Sequence, residues 1–155
     1  MLEVTGADRA YAVAPSHLGK FAKDYPGATA LVIMLRGWRP FKTVKDGKTA
    51  TICAYYIAGN ALYHSARQLV KRLTSEGYFA KTLTGDDVPV LHILESAGIA
   101  SIGENGLAAT KFLGSYFAVQ LVITNAYEPV VYEKEPAECL HCGRCSNACP
   151  SKALP

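Results

Sequence analysis

The sequence predicts an α+β protein, in which a mixed body of strands and helices is followed by a small cysteine-bearing segment. Three observations indicate this: short apolar runs bounded by turn residues, one long stretch with helical periodicity, and four cysteines crowded near the C-terminus. The chain has 155 residues, half of them hydrophobic, which is enough for one ordinary core. We therefore expect a body over residues 1–130 and a short second domain over residues 131–155.

The strands are predicted from the apolar runs. Residues 10–14 and 30–35 are apolar and flanked by proline and glycine turns, a pattern typical of buried strands. Residues 117–124 (FAVQLVIT) give the strongest strand prediction, because β-branched and aromatic side chains fill the run. Residues 78–83 are a further predicted strand.

Helices are predicted from spacing and end signals. Over residues 50–76 apolar side chains recur every three or four positions, and Gly77 provides a stop; these side chains are Ala58, Leu62, Ala66, Leu69 and Leu73. Residues 17–24 predict a short helix with Ser16 as N-cap, and residues 88–97 predict another that has Pro89 in its first turn. The remaining segments are predicted as loops at 36–48 and 98–107, a turn at 84–87 and a solvated connector at 128–138.

Charge and composition argue against several classes of protein. The net charge of +3 is modest and the basic residues are scattered, which argues against a nucleic-acid interface. We expect no membrane association and a cytoplasmic location, because no signal pattern opens the chain and no apolar run reaches the ~18 residues of a span. Phosphate-binding loops, dinucleotide fingerprints and nucleophile elbows do not occur in the sequence.

Cys139, Cys142, Cys145 and Cys149 form the run C-x2-C-x2-C-x3-C-P, which is typical of ferredoxin-type [4Fe-4S] sites. Three thiolates on a tightly wound loop can reach three corners of one cube, while His141 within the loop could tune the cluster or replace a ligand. A structural zinc site is the alternative, although zinc knuckles usually separate two cysteine pairs more widely.

The fourth ligand of the cluster is an open question. In two-cluster proteins the last cysteine of such a run binds the other cluster, and only one run is present here. A second run beyond this sequence, a ligand from another chain, or Cys53 or a non-cysteine ligand could complete one or two clusters. We favour the first, and we expect Cys53 to be a buried, inert cysteine because its flanks are apolar.

Residues 85–125, followed by the cysteine run, resemble the epoxyqueuosine reductases and the related cobalamin-dependent reductive dehalogenases. The most specific part is AGIASIGENGL, which leads into the strand GSYFAVQLVIT. The resemblance implies a nitroreductase-like body over residues 1–130 that binds cobalamin. It also implies two [4Fe-4S] clusters in a ferredoxin-like domain that deliver electrons to the cobalt.

By position, Asp86 matches the aspartate that donates a proton in the epoxyqueuosine reductases; the alternative is that Asp86 or Asp87 caps the next helix. Gly103, Asn105 and Gly106 match the loop that lies against the cofactor, although an ordinary tight turn would use the same residues. The sequence departs from the family where Glu104 replaces a positively charged residue, and the spacing after Pro89 is shorter.

The leading hypothesis is a cytoplasmic reductase in which a cluster passes electrons to a corrinoid and Asp86 supplies a proton. The resemblance implies an electron donor such as a ferredoxin or flavodoxin, a small-molecule or modified-nucleoside substrate, and a homodimer as one assembly. One alternative is a non-catalytic electron carrier or partner subunit. Another is a flavin-dependent nitroreductase-like enzyme that binds FMN.

Overall fold

The computed structural model describes residues 3–39, 52–134 and 136–154. The chain forms two compact units, one made of Met1–Val88 with Tyr116–Tyr132 and the other of Pro89–Ser115 with Glu133–Pro155. Helices and antiparallel strands occur together, so the predicted mixture of α and β structure is confirmed. The predicted domain boundary near residue 130 stays a prediction.

The elements follow one another along the chain as short strands separated by helices and loops. The strands are β1 (Arg9–Val13), β2 (Ala30–Gly37), β3 (Ala80–Leu83), β4 (Ser101–Ile102), β5 (Ala108–Ala109) and β6 (Phe117–Thr124). The α-helices are α1 (Ala54–Ser75), α2 (Val90–Ser96) and α3 (Arg144–Ala148). A 3-10 segment, Pro15–Asp24, lies between β1 and β2.

The first unit is built on a four-stranded antiparallel sheet in the order β1-β2-β6-β3. Its two central strands align in register, with Val32 opposite Val122. Residues 30–35 are all fully buried, so both faces of β2 are covered. A strand with two covered faces has a continuous apolar sequence, which is the pattern that predicted β2. The predicted strand at 117–124 is confirmed at both ends.

Helix α1 covers one face of this sheet with a single apolar stripe. The stripe packs against Val32, Met34 and Val122 of the sheet, and its members are Ala58, Leu62, Ala66, Leu69 and Leu73. After α1, Gly77 adopts φ +89, a left-handed conformation that costs glycine little. The amide of Tyr78 then donates to the carbonyl of Leu73 at 3.0 Å. The predicted stripe and stop are therefore confirmed, although α1 begins at Ala54 rather than at residue 50.

Several predicted boundaries were wrong for local reasons. Ser16 is not an N-cap, because Pro15, with its fixed φ, starts the 3-10 segment two residues before the predicted start at His17, and Ala14 is its N-cap. That segment is interrupted at Gly19, where φ is +59. Strand β2 continues through Gly37 into the predicted loop at 36–48, and positions 40–48 of that prediction lie outside the described residues.

The glycine-rich stretch 98–107 was predicted as loop but contains a strand. Strands β4 and β5 pair as a small hairpin in the second unit, with Ile102 opposite Ala108. Its tip is closed by two backbone bonds, from the amide of Gly103 to Leu107 at 3.0 Å and from the amide of Gly106 to Gly103 at 2.8 Å. Gly106 has φ +73, so a residue without a side chain suits the turn.

The connector at 128–138 is exposed over much of its length, as expected. Hydrogen bonds and a ring contact nevertheless attach it to other segments at Val130, Tyr132 and Ala137. In the first unit, the amide of Val130 donates to the carbonyl of Ala12 at 3.0 Å, and the ring of Tyr132 lies 5.1 Å from that of Tyr11. In the second unit, the amide of Ala137 donates to the carbonyl of Ala109 at 3.2 Å.

Candidate metal and cofactor site

The cysteine loop turns sharply on both sides of its second thiol, Cys142. His141 has φ +48 and Gly143 has φ +68, so two left-handed residues flank Cys142. Helix α3 follows at once and carries Cys145, while Cys149 leaves it with an extended backbone. Cys142 is exposed and the other three thiols are partly exposed, so all four cysteines of the loop are accessible to incoming iron.

The spacing of these thiols bears on which metal they suit. Among the described residues, one group of three His, Cys, Asp or Glu ligand atoms lies within 4.8 Å of one another, and its members are Glu104, Cys139 and His141. No three thiols of the loop meet that distance. Four cysteines around one zinc ion would place their sulfurs about 3.8 Å apart, whereas each thiolate of a cube binds a different iron atom. The spacing C-x2-C-x2-C-x3-C-P, rather than any distance between sulfurs, is what favours a cube over a four-cysteine zinc site.

Cys149 has the chemistry of a metal ligand. The hydroxyl of Ser151 lies 3.4 Å from its sulfur. This hydroxyl, followed by the backbone amides of Ala153, Leu154 and Ser151, lowers the pKa of Cys149 to about 7. Since the thiolate is the form that binds iron, these donors prepare Cys149 for ligation.

The hairpin tip lies directly beside the first cysteine of the loop. A Cβ added to Gly103 would come within 3.8 Å of the sulfur of Cys139 and 3.0 Å of Oδ1 of Asn105. That Oδ1 accepts a hydrogen bond from the amide of Leu107 at 3.1 Å, which rigidifies the tip. Gly103 and Asn105 therefore lie in the same unit as the cysteines, but their predicted contact with a cofactor stays a prediction.

One polar pair at this tip was not predicted from the sequence. Nδ1 of His141 lies 2.7 Å from Oε1 of Glu104. The sequence had singled out both residues separately, Glu104 as a departure from the family and His141 as a member of the cysteine loop. Nothing in a single sequence pairs two residues that lie 37 positions apart.

Asp86 lies in the first unit, exposed in the turn between β3 and α2. Its neighbour Asp87 closes this turn by accepting bonds from the amide of Thr84 at 2.8 Å and from the hydroxyl of Thr84 at 2.9 Å. These bonds hold the pKa of Asp87 below its ordinary value. Helix α2 has Pro89 at its N-cap and no side-chain cap, so the capping alternative for both aspartates is wrong. The catalytic role of Asp86 stays a prediction.

Cys53 was predicted to be buried, and this is wrong. It precedes the first residue of α1 and is exposed. The apolar residues around it are also exposed, with Ile52 at 58% and Tyr56 at 66%. An apolar run at the end of a helix need not face the core, and hydrophobic sequence alone does not show which side is covered.

Comparison with known proteins gives the class of the cysteine segment first. Residues 132–154 match the family described as the 4Fe-4S binding domain. This match covers all four cysteines of the loop, so the predicted ferredoxin-type segment is confirmed.

More particular relatives are the epoxyqueuosine reductases, which this chain resembles in sequence and in fold. It is 30% identical to the enzyme of Pseudomonas aeruginosa in an alignment of 144 positions, and the match covers 86% of this chain and 40% of the relative. It is 33% identical to the enzyme of Lactococcus garvieae in an alignment of 107 positions, and that match covers 62% of this chain and 29% of the relative. The predicted resemblance to these reductases is thus confirmed, while the link to dehalogenases stays a prediction.

Solved structures of the same enzymes share the fold. Epoxyqueuosine reductase from Bacillus subtilis, with a catalytic aspartate loop swung out of its active site, aligns with a TM-score of 0.69 at 21% identity. A structure of epoxyqueuosine reductase with an epoxyqueuosine-modified tRNA-Tyr stem loop aligns equally well, with a TM-score of 0.69 and 21% sequence identity. Both alignments cover 96% of this chain and 49% of the solved chain. The chain thus spans about half the length of these structures and 40% or less of the curated relatives.

None of the helices in the described parts of the chain has the length and apolar character needed to cross a membrane. The cytoplasmic location stays a prediction.

Proposed function

We propose that this chain is the cofactor-binding part of an iron-sulfur oxidoreductase. Cys139, Cys142 and Cys145 would hold one [4Fe-4S] cluster, and Cys149 would bind a second. The observation that carries this proposal is the partly exposed C-x2-C-x2-C-x3-C-P loop, which lies within the match to the 4Fe-4S binding domain and has the spacing typical of [4Fe-4S] sites. When bound, a cluster of this kind supplies single electrons.

The chain's own residues prepare the site in two ways. Ser151 and the amides after it favour the thiolate of Cys149, which binds iron, over the thiol. Gly103 lies beside Cys139, and its lack of a side chain leaves room for Oδ1 of Asn105, which an added Cβ would approach to 3.0 Å, so the tip keeps its hydrogen bond to Leu107 next to the cysteine loop.

We further propose that a nitroreductase-like body binds a corrinoid, with Gly103, Asn105 and Gly106 at its surface. The similarity to epoxyqueuosine reductases supports this assignment. A Cβ added to Gly106 would meet no atom within 4 Å, so this side of the hairpin tip leaves room for a ligand. FMN is the alternative cofactor, and its flat ring would use the same open surface.

The proposed substrate is a modified nucleoside of the epoxyqueuosine kind, with Asp86 as the proton donor. The names of the curated relatives and the stem-loop complex support the substrate class. The catalytic aspartate loop of the Bacillus subtilis enzyme supports an acid on a loop, and Asp86 is exposed in a turn that Asp87 closes. An external donor such as a ferredoxin or flavodoxin would supply the electrons.

Anaerobic reconstitution with iron and sulfide tests the metal site. We expect about four iron and four sulfide per chain if one cube forms, with visible absorbance that bleaches on reduction. The matched control is a chain with Cys139, Cys142 and Cys145 changed to alanine. About one zinc per chain after purification, with no iron uptake, would refute the cluster and favour a zinc site that includes Cys139, His141 and Glu104.

Gel filtration after adding cobalamin or FMN tests the organic cofactor. Co-elution of cobalamin at one per chain is the expected result, and co-elution of FMN alone would favour the nitroreductase-like alternative. A chain that holds a cluster and retains neither cofactor would instead be an electron carrier or partner subunit.

A further inference from the structure

We propose that Glu104 is a positioning residue for the iron-sulfur loop. Its carboxylate binds His141, holds the backbone around Cys139 and places a negative charge beside Cys139, a ligand of the cluster. Through these contacts Glu104 would govern both how firmly the cluster is retained and its reduction potential. This role rests on the cluster binding proposed above, and it goes beyond it by assigning a function to a residue outside the cysteine run.

The contact is short and links two separate segments of the second unit. Oε1 of Glu104 lies 2.7 Å from Nδ1 of His141, a distance typical of a hydrogen bond with a charged partner. A carboxylate oxygen of Glu104 and a ring nitrogen of His141 lie within 4.8 Å of the sulfur of Cys139. The side chain of Glu104 is 32% exposed, which is less than half the 72% of His141, so the carboxylate is the better-shielded partner.

His141 needs an anchor because of its backbone. Its φ of +48 lies in the left-handed region, which residues with a side chain adopt rarely and which surrounding contacts must maintain. This conformation makes the chain turn between Cys139 and Cys142. Loss of the side-chain contact would let residue 141 relax towards negative φ, and the first two thiols would then move apart.

The hairpin that carries Glu104 also holds the chain on the other side of Cys139. The hydroxyl of Ser101 donates to the carbonyl of Ala137, and the amide of Ala137 donates to the carbonyl of Ala109 at 3.2 Å. The hairpin therefore fixes Ala137 and His141, which lie two residues before and two residues after Cys139. Of these two attachments, the one at His141 depends on a single carboxylate.

The charge of Glu104 has a separate, predictable effect. A carboxylate near a cluster ligand disfavours the added electron, since reduction makes the cluster more negative. Removing the charge should therefore raise the reduction potential even where the hydrogen bond is kept. Glu104→Gln keeps an acceptor for His141 and removes the charge, whereas Glu104→Ala removes both.

The test compares the 155-residue chain, reconstituted anaerobically, as wild type, Glu104→Gln, Glu104→Ala and Glu138→Ala. Glu138 is the matched control, because it is an exposed glutamate next to Cys139 for which the structure shows no bond to His141 among the described residues. Cluster retention is measured as the rate of bleaching by excess iron chelator at pH 8. Reduction potential is measured by poised titration followed by electron paramagnetic resonance.

We expect Glu104→Ala to lose its cluster about fivefold faster than wild type, with Glu104→Gln and Glu138→Ala within about twofold of it. At a fixed solution potential, the ratio of reduced to oxidised cluster should rise on the order of threefold to tenfold in Glu104→Gln. A Glu104→Ala, His141→Ala double variant should lose the cluster no faster than Glu104→Ala alone, because both changes remove one contact.

The outcomes separate this inference from the proposed function. A wild-type chain that takes up no cluster would overturn both. A wild-type chain with a stable cluster, together with wild-type retention in Glu104→Ala, would overturn the positioning role alone. If Glu104→Ala does not fold, an unchanged potential in Glu104→Gln would still refute the inference.

Discussion

The hydroxyl of Ser151 lies 3.4 Å from the sulfur of Cys149 and is the largest cause of the lowered pKa of that thiol. In the metal-free protein, Cys149 should therefore react with iodoacetamide with a pH midpoint of about 7. Ser151→Ala should move the midpoint upwards and slow alkylation at pH 7, because the thiolate loses its main donor. The measurement is mass spectrometry of the Cys149 peptide after timed labelling.

Ser146→Ala is the control for this prediction. Its hydroxyl lies 4.0 Å from the sulfur of a different ligand, Cys145, so the midpoint of Cys149 should not move. Equal midpoints in wild type and Ser151→Ala would show that the backbone amides alone stabilise the thiolate.

The hydrogen bonds of Asp87 in its turn should make the stability of the folded protein depend on pH. The amide and the hydroxyl of Thr84 lower the pKa of Asp87 from its ordinary 3.8, so the folded state favours the ionised form. This contribution is present above pH about 4 and is lost as the pH falls through the lower folded pKa. Thermal unfolding should thus show Asp87→Asn below wild type at pH 6, with the difference shrinking towards pH 2.

Asp86→Asn is the matched control in the same turn. A difference between Asp87→Asn and wild type that stays constant from pH 6 to pH 2 would contradict this assignment.

A substitution at Asp86 can distinguish a role as proton donor from a purely structural role. Asp86→Asn should reduce turnover of an epoxyqueuosine-containing RNA by at least about a hundredfold, because the amide cannot supply a proton. Cofactor retention and thermal stability should remain those of the wild type, since Asp86 is exposed. Retained turnover in Asp86→Asn would eliminate this role, and Asp24→Asn, another exposed aspartate of the first unit, serves as the control.

Gly103 should tolerate no side chain without a change at the hairpin tip. In Gly103→Ala the new methyl would lie 3.0 Å from Oδ1 of Asn105, so that side chain must shift and its bond to the amide of Leu107 weakens. Hydrogen exchange at the Leu107 amide should become several-fold faster, as expected for a weakened bond. Gly85→Ala, where an added Cβ meets nothing within 4 Å, should leave that amide unchanged.

The core of the first unit depends on α1. Leu62 is fully buried, so Leu62→Ala should lower the free energy of unfolding by about 2–5 kcal/mol in urea titrations of the metal-free protein. Lys71→Ala, on the exposed side of the same helix, should change it by no more than about 0.5 kcal/mol. Similar losses in both variants would mean that the helix is not packed through the stripe.

The elements that were predicted well are those set by local patterns. Residues 117–124 form β6 because a run of β-branched and aromatic side chains suits a pleated strand, and Leu62 faces the core because its neighbours repeat with the helical period. End signals were less reliable. The 3-10 segment begins at Pro15 instead of after a cap at Ser16, and Asp87 accepts hydrogen bonds from Thr84, three residues earlier in the turn, rather than from the helix after it.

The sequence by itself determined the mixed α and β structure, the buried stripe of α1 and the class of the cysteine segment, because each depends on the spacing of neighbouring residues. Only the tertiary structure decided that Cys53 is exposed and that Glu104 meets His141 beside Cys139. These facts depend on which surfaces face each other after residues far apart in the chain are brought together. Short-range periodicity carries no information about such pairs, since their separation along the chain is set by the fold.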